Sequence, residues 1–95
     1  MKKSIRIRVP LVSAQIRAAR ALLRWSAEDL ARASAVGLTT IRRAELTEQQ
    51  TSLTAANDLA IRHALESAGI VFIGENDGGI GVRLRKPESK QDGKS

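Results

Sequence analysis

Between Ser26 and Glu45 the chain starts a helix twice, and this spacing constrains the fold more than any other feature. Ser26-Ala27-Glu28-Asp29 reads as an N-cap followed by an acid that reaches back to it, a capping-box pattern. Glu28 and Asp29 also suit the positive end of the helix dipole. The helix they open spans 27–34, carries Leu30 and Ala33 inward, and is broken by Ala35-Val36-Gly37. Gly37 then caps a second helix of about two turns over 38–45. Its inward residues are Ile41 and Ala44, and Thr39, Thr40, Arg42 and Arg43 are left to face outward.

Around this pair the patterning predicts a small, mainly α fold. Ser13 is placed to cap a helix over 13–24, with Ile16, Ala19 and Leu23 at three- and four-residue spacing and Leu22 widening the stripe. Arg17, Arg20 and Arg24 repeat that spacing on another face, so one helix presents a core stripe and a basic stripe. Thr51 or Ser52 opens a fourth helix to about Ser67, with Leu53, Ala56, Ala60, Ala64 and Leu65 as apolar positions and Gly69 to terminate it. The period then changes to that of strands, Ile70-Val71-Phe72-Ile73 and Gly81-Val82-Arg83-Leu84-Arg85, around a Gly- and Asp-rich turn. Upstream, Ile5, Ile7 and Val9 alternate with Arg6 and Arg8 up to Pro10, which predicts a short strand. The expected organisation is an N-terminal strand and arm (1–12), a four-helix domain (13–69), a β-hairpin (70–86) and a disordered polar tail (87–95).

With 95 residues there is room for one core, and with Trp25 and Phe72 as the only aromatics that core must be aliphatic. The absence of cysteine excludes disulfides and thiol chemistry and fits a cytoplasmic setting, and no apolar run approaches the length of a membrane span. Nor do the N-terminal lysines precede the apolar stretch of a secretory signal. The net charge of +6 is unevenly spread: residues 1–24 carry Lys2, Lys3, Arg6, Arg8, Arg17, Arg20 and Arg24 without an acid, whereas 52–82 set Arg62 alone against four acids. Such polarity points to a polyanionic partner.

Two short helices joined by a turn and packed on a longer one make a helix-turn-helix, whose second helix can enter the DNA major groove. The outward residues of 38–43 are then the ones able to reach base edges: arginine suits a bidentate contact to guanine, and threonine offers a hydroxyl and a methyl. The run RAARALLRWSAEDLARASAVGLTTIRRAE, residues 17–45, resembles the Cro/repressor-type (XRE-like) helix-turn-helix regulators, with Trp25, Ser26, Leu30, Ala31, Val36, Ile41 and Glu45 in register. LESAGIVFIGENDGGIGVRLRK, residues 65–86, resembles a subgroup in which a β-hairpin follows the four helices. The chain departs from the pattern at Ala35, where such proteins carry a turn glycine, and in the loop after the third helix, which lacks the usual glycine.

The resemblance implies a transcriptional regulator that binds double-stranded DNA, usually as a homodimer. It places Leu38, Thr39 and Arg43 at base contacts, and Thr40, Arg42 and Ala27 at the backbone, Ala27 through its N–H alone. Arg17 and Arg24 on the basic helix are further candidates for phosphate, with solubility as their alternative role. Ile5, Ile7, Phe72, Val82 and Leu84 are expected to build a second small core or a dimer interface. Trp25 is assigned to the core and His63 to a structural or surface role. No nucleophile–base pair, metal-ligand cluster or phosphate-binding glycine loop is present, so neither catalysis nor a cofactor is expected. Two other readings stand beside the regulator: a protein-binding module on the same fold, such as an antitoxin or antiactivator, and a non-specific DNA binder.

Overall fold

The computed structural model describes residues 9–47, 51–74, 76 and 78–85. Four helices, α1 (Ser13–Leu23), α2 (Ala27–Ser34), α3 (Leu38–Ala44) and α4 (Ala55–Ser67), are followed by an antiparallel hairpin of β1 (Ile70–Ile73) and β2 (Gly81–Leu84). The expected sequence of four helices and a hairpin is therefore present, and the differences lie at the boundaries and in which residues face inward: Ala33, expected inward on α2, is exposed.

Val12, not Ser13, is the N-cap of α1. Its N–H donates to Gln15 Oε1 at 3.1 Å, and its carbonyl accepts the Gln15 N–H at 3.0 Å. Ser13 is buried one position later, where its hydroxyl donates to the Ala44 carbonyl and meets Thr47 Oγ1. A distant partner thus takes the side chain that local pattern assigns to capping. α1 stops at Leu23 because Arg24 turns left-handed, with φ 59°. Leu22, expected to widen the apolar stripe, is 43% exposed.

α2 has the predicted start: Ser26 Oγ accepts the Asp29 N–H at 3.0 Å, and Asp29 Oδ2 accepts the Ser26 N–H at 2.8 Å. It ends at Ala35, which adopts φ 63° and ψ 20° and donates its N–H to the Ala31 carbonyl at 2.9 Å. The chain thus makes with alanine a left-handed turn that ordinarily favours glycine. Gly37 caps α3 as expected.

α4 begins later than its first hydroxyls suggest. Thr54 is the cap, accepting the Asn57 N–H at 3.1 Å, while Thr51 Oγ1 accepts the Leu53 N–H at 3.4 Å. The inward face shifts accordingly: Ile61 and Leu65 are fully buried, Ala60 and Ala64 pack at the margin, and Ala56 is exposed. Leu53 precedes the helix yet still packs on the core.

α4 also buries Asp58 and Arg62, a carboxylate and a guanidinium one turn apart. Asp58 Oδ2 accepts the Leu11 N–H at 2.9 Å, and Arg62 Nη2 donates to the Val9 carbonyl at 2.6 Å. Arg62 Nη2 lies 3.8 Å from Asp58 Oδ1, and its Cζ lies 5.2 Å from the Phe72 ring centroid. These contacts bring the segment entering α1, α4 and the hairpin together.

In the hairpin Ile70 faces Leu84, Val71 faces Arg83, Phe72 faces Val82 and Ile73 faces Gly81. Gly69 (φ 112°) lets α4 reverse into β1, and a Cβ there would sit 3.3 Å from Leu84 Cδ1. β1 packs on α4 and β2 on α1, where Gln15 Nε2 donates to the Gly81 carbonyl at 3.2 Å. Phe72 and Val82 pack at the margin of the aliphatic core centred on Leu11, Ile16, Leu30, Ile41, Ile61 and Leu65. Among the described residues the sheet has two strands. Ile5 and Ile7, most of the expected N-terminal strand, and the tail 87–95 lie outside the described residues, and Val9 is 69% exposed and outside any strand.

The left-handed Ala35 yields a direct test. A non-glycine residue there costs about 1–2 kcal/mol, against about 0.5–1 kcal/mol of extra unfolded-chain entropy for glycine. Ala35→Gly is expected to raise stability by up to about 1 kcal/mol, and the melting midpoint by about 4–8 °C per kcal/mol. A lower midpoint for the variant in thermal unfolding would refute the turn geometry.

Candidate functional site

The second, seven-residue helix of the closely spaced pair, α3, exposes Thr39, Arg42 and Arg43. Their three- and four-residue spacing places them on one face, opposite the buried Ile41 and Ala44. The other expected contacts are less accessible. Thr40 is half-buried, Leu38 packs at the edge of the core, and Ala27 is buried at 8% exposure. Leu38 and Ala27 owe this to their positions at the first turns of α3 and α2, which the core needs for its own closure.

The basic stripe of α1 divides. Arg20 is drawn inward, donating from Nε to Glu45 Oε2 at 2.7 Å, from Nη2 to Glu45 Oε1 at 2.8 Å and from Nη1 to the Trp25 carbonyl at 2.9 Å. The Glu45 hydrogen bond, partly opposed by burial, holds the Arg20 pKa above its ordinary value. Arg17 reaches the same residue, Nη1 donating to the Glu45 carbonyl at 2.5 Å, yet stays exposed. Arg24 is exposed at the end of the helix, with no ion pair among the described residues.

The acids of α2 are committed differently. Asp29 closes the cap with Ser26 and accepts from Arg32 Nη2 at 2.5 Å. Glu28 crosses to α3, where its Oε2 accepts from Arg42 Nη2 at 3.0 Å. Arg43 makes no ion pair among the described residues. The face therefore offers a hydroxyl, one guanidinium held by a surface carboxylate and one guanidinium open to solvent. Planar guanidinium groups so disposed can fork onto a phosphate or onto the O6 and N7 of guanine.

Neither Glu28–Arg42 nor Arg20–Glu45 is visible as a local pattern, because each joins residues on different helices. The Asp58–Arg62 pair has a local signal, its i,i+4 spacing. On the hairpin, Phe72 and Val82 are half-buried on the core and Leu84 is 42% exposed. Trp25 packs at the core margin and His63 is exposed. Among the described residues no group of three or more His, Cys, Asp or Glu could hold a metal ion, and no helix is long and apolar enough to cross a membrane. A scan against protein-family models matches none, and a search of the curated proteins finds no match either.

Two tests follow from these contacts. Breaking this partly buried pair with Glu45→Ala leaves Arg20 with the Trp25 carbonyl and is expected to cost about 1.5–3 kcal/mol in denaturant unfolding. A loss below about 0.5 kcal/mol would show that the pair does not hold α1 to the end of α3. Asp29 has its pKa lowered below 3.8, chiefly by the Ser26 N–H hydrogen bond. A carboxyl whose pKa falls on folding stabilises the protein above its unfolded value, and that contribution fades as pH drops through the folded value. Melting midpoints of wild type and Asp29→Asn should thus differ near neutrality and converge at acid pH; a constant difference would refute the assignment.

Proposed function

We propose that the chain is a sequence-specific regulator of transcription that binds double-stranded DNA as a homodimer in the cytoplasm. In this reading α2, the turn at 35–37 and α3 form a helix-turn-helix, and α3 lies in the major groove. The observation that carries it is the exposed row Thr39, Arg42 and Arg43 on a short helix held from behind by Ile41, Ala44 and Glu45. Arg43 and Thr39 read bases, and Leu38 adds an apolar edge. Arg42 and Thr40 meet the groove wall, with the backbone at Ala27. Arg17 and Arg24 bring α1 to the phosphates. No catalytic step and no cofactor enter this function.

What supports a homodimer is the hairpin, whose exposed Leu84 and Ile80 leave apolar surface beyond what Phe72 and Val82 cover. Two copies would read half-sites about 34–36 Å apart. Sedimentation as a monomer at tens of micromolar would remove the dimer.

DNA from just upstream of the gene and a scrambled duplex, titrated over a salt series, form the test. A preference for the upstream duplex with affinity falling steeply in salt supports a specific regulator. Equal, salt-sensitive binding to both favours a non-specific binder, and no binding at low salt overturns the DNA reading in favour of a protein partner. Within it, Arg43→Ala is expected to cost about 1–3 kcal/mol on the preferred duplex and to relax sequence preference. Arg24→Ala should weaken both duplexes alike and reduce the salt slope by about 1. Unchanged specificity in Arg43→Ala would refute the placement of α3.

A further inference from the structure

From the pairing of Glu28 with Arg42 we infer that Glu28 is a built-in competitor for DNA phosphate, occupying Arg42 in the free protein and on mixed-sequence DNA and releasing it only where a duplex seats closely against α3. The inference rests on the DNA-binding reading and adds a residue that this reading does not use. Glu28 stands in the first turn of α2 and Arg42 in the last turn of α3, so their contact spans the turn between the helices. The 3.0 Å hydrogen bond is made at the surface, with the two side chains 51% and 57% exposed. Solvent and salt compete with such a pair, and its worth is about 0.2–1 kcal/mol, small enough for a phosphate to displace it.

The neighbouring charges single out Glu28. Asp29 is committed to the cap and to Arg32, and Glu45 is buried under Arg20. Among the described residues Glu28 is the acid left beside the exposed α3 row, and its charge also reaches Arg20. A carboxylate presents the same planar guanidinium with much the same acceptor geometry as a phosphate oxygen pair. While Glu28 holds it, the charge of Arg42 is balanced by a carboxylate, so a random duplex gains little from it. Only a duplex seated deeply enough to bring a phosphate to Arg42 recovers the contact. Glu28 is thus a positioning residue that lowers affinity for all DNA.

The test is a double-mutant cycle on the full chain, using a mixed-sequence DNA duplex between about 50 and 200 mM salt. Glu28→Gln is expected to tighten binding about threefold and to steepen the logarithmic salt slope by about 1, as a freed Arg42 takes a phosphate. In the Arg42→Ala background the same change should leave the slope unaltered. Circular dichroism melts of each variant exclude unfolding as the cause of any loss. A slope change of equal size with and without Arg42 would overturn the inference, because Glu28 would then act only as one negative charge among others. Weaker or unchanged binding by a folded Glu28→Gln would overturn it too. If wild type fails to bind at the lowest salt, the DNA-binding reading falls and the inference with it, an outcome distinct from either of these.

Discussion

Glu45 is the residue on which the arrangement of the helices depends. Its carboxylate is almost fully buried and takes two hydrogen bonds from Arg20, while its carbonyl takes one from Arg17. One position earlier, the Ala44 carbonyl accepts the Ser13 hydroxyl. Two of the carbonyls left without internal partners at the end of α3 are thus satisfied by side chains of α1. This matters because α3 has seven residues and no side-chain cap at its start. A helix so short is marginal on its own, so its stability comes from what packs against it. The ion pair and the buried Ile41 fix how α3 is rolled, and the roll decides that Thr39, Arg42 and Arg43 are the residues turned outward.

A second polar network does for the opposite end what Glu45 does for α3. Asp58 and Arg62 are buried but bonded, to the Leu11 N–H and the Val9 carbonyl, and the Arg62 guanidinium rests over Phe72. Buried charges are tolerated when their hydrogen bonds are made, and here they link an irregular backbone segment to a helix and a sheet. Two strands alone would be marginal. Packed on α1 and α4, and tied through Gln15 and Phe72, the hairpin becomes part of the same core.

The sequence made legible those features that local chemistry decides. The reciprocal Ser26–Asp29 cap, the Gly37 start and the reversal at Gly69 each need only a few adjacent residues, and each is found where the pattern puts it. What stayed hidden was decided by distant partners. Ser13 and Thr51 both look like caps, yet one hydroxyl goes to Ala44 and the other stays in the loop while Thr54 starts the helix. At the candidate site the outward placement of Thr39, Arg42 and Arg43 was readable from the period of α3. The partial burial of Leu38 and Thr40 was not, since it depends on how α3 seats against its neighbours.

Charge shows the same limit more sharply. Arg17, Arg20 and Arg24 share one spacing and read as a uniform basic stripe, but spacing fixes only direction, and a guanidinium on a long flexible stem has wide reach. Arg20 uses that reach to bond the Trp25 carbonyl and the Glu45 carboxylate, Arg17 gives one donor to a carbonyl, and Arg24 keeps its charge outward. On α3, Arg42 is matched by Glu28, and Arg43 has no ion pair among the described residues. A count of sixteen Lys and Arg therefore overstates the cations left open for a polyanion, whereas the formal charge of +6 already nets the paired acids out. Bulk charge brings a polyanion near from any direction, whereas sequence reading needs few cations, each in a fixed place. Under the DNA-binding proposal, an arginine held in the fold and another held by a surface carboxylate would move this face toward the second condition, and a face so depleted would gain most from the one duplex that fits it.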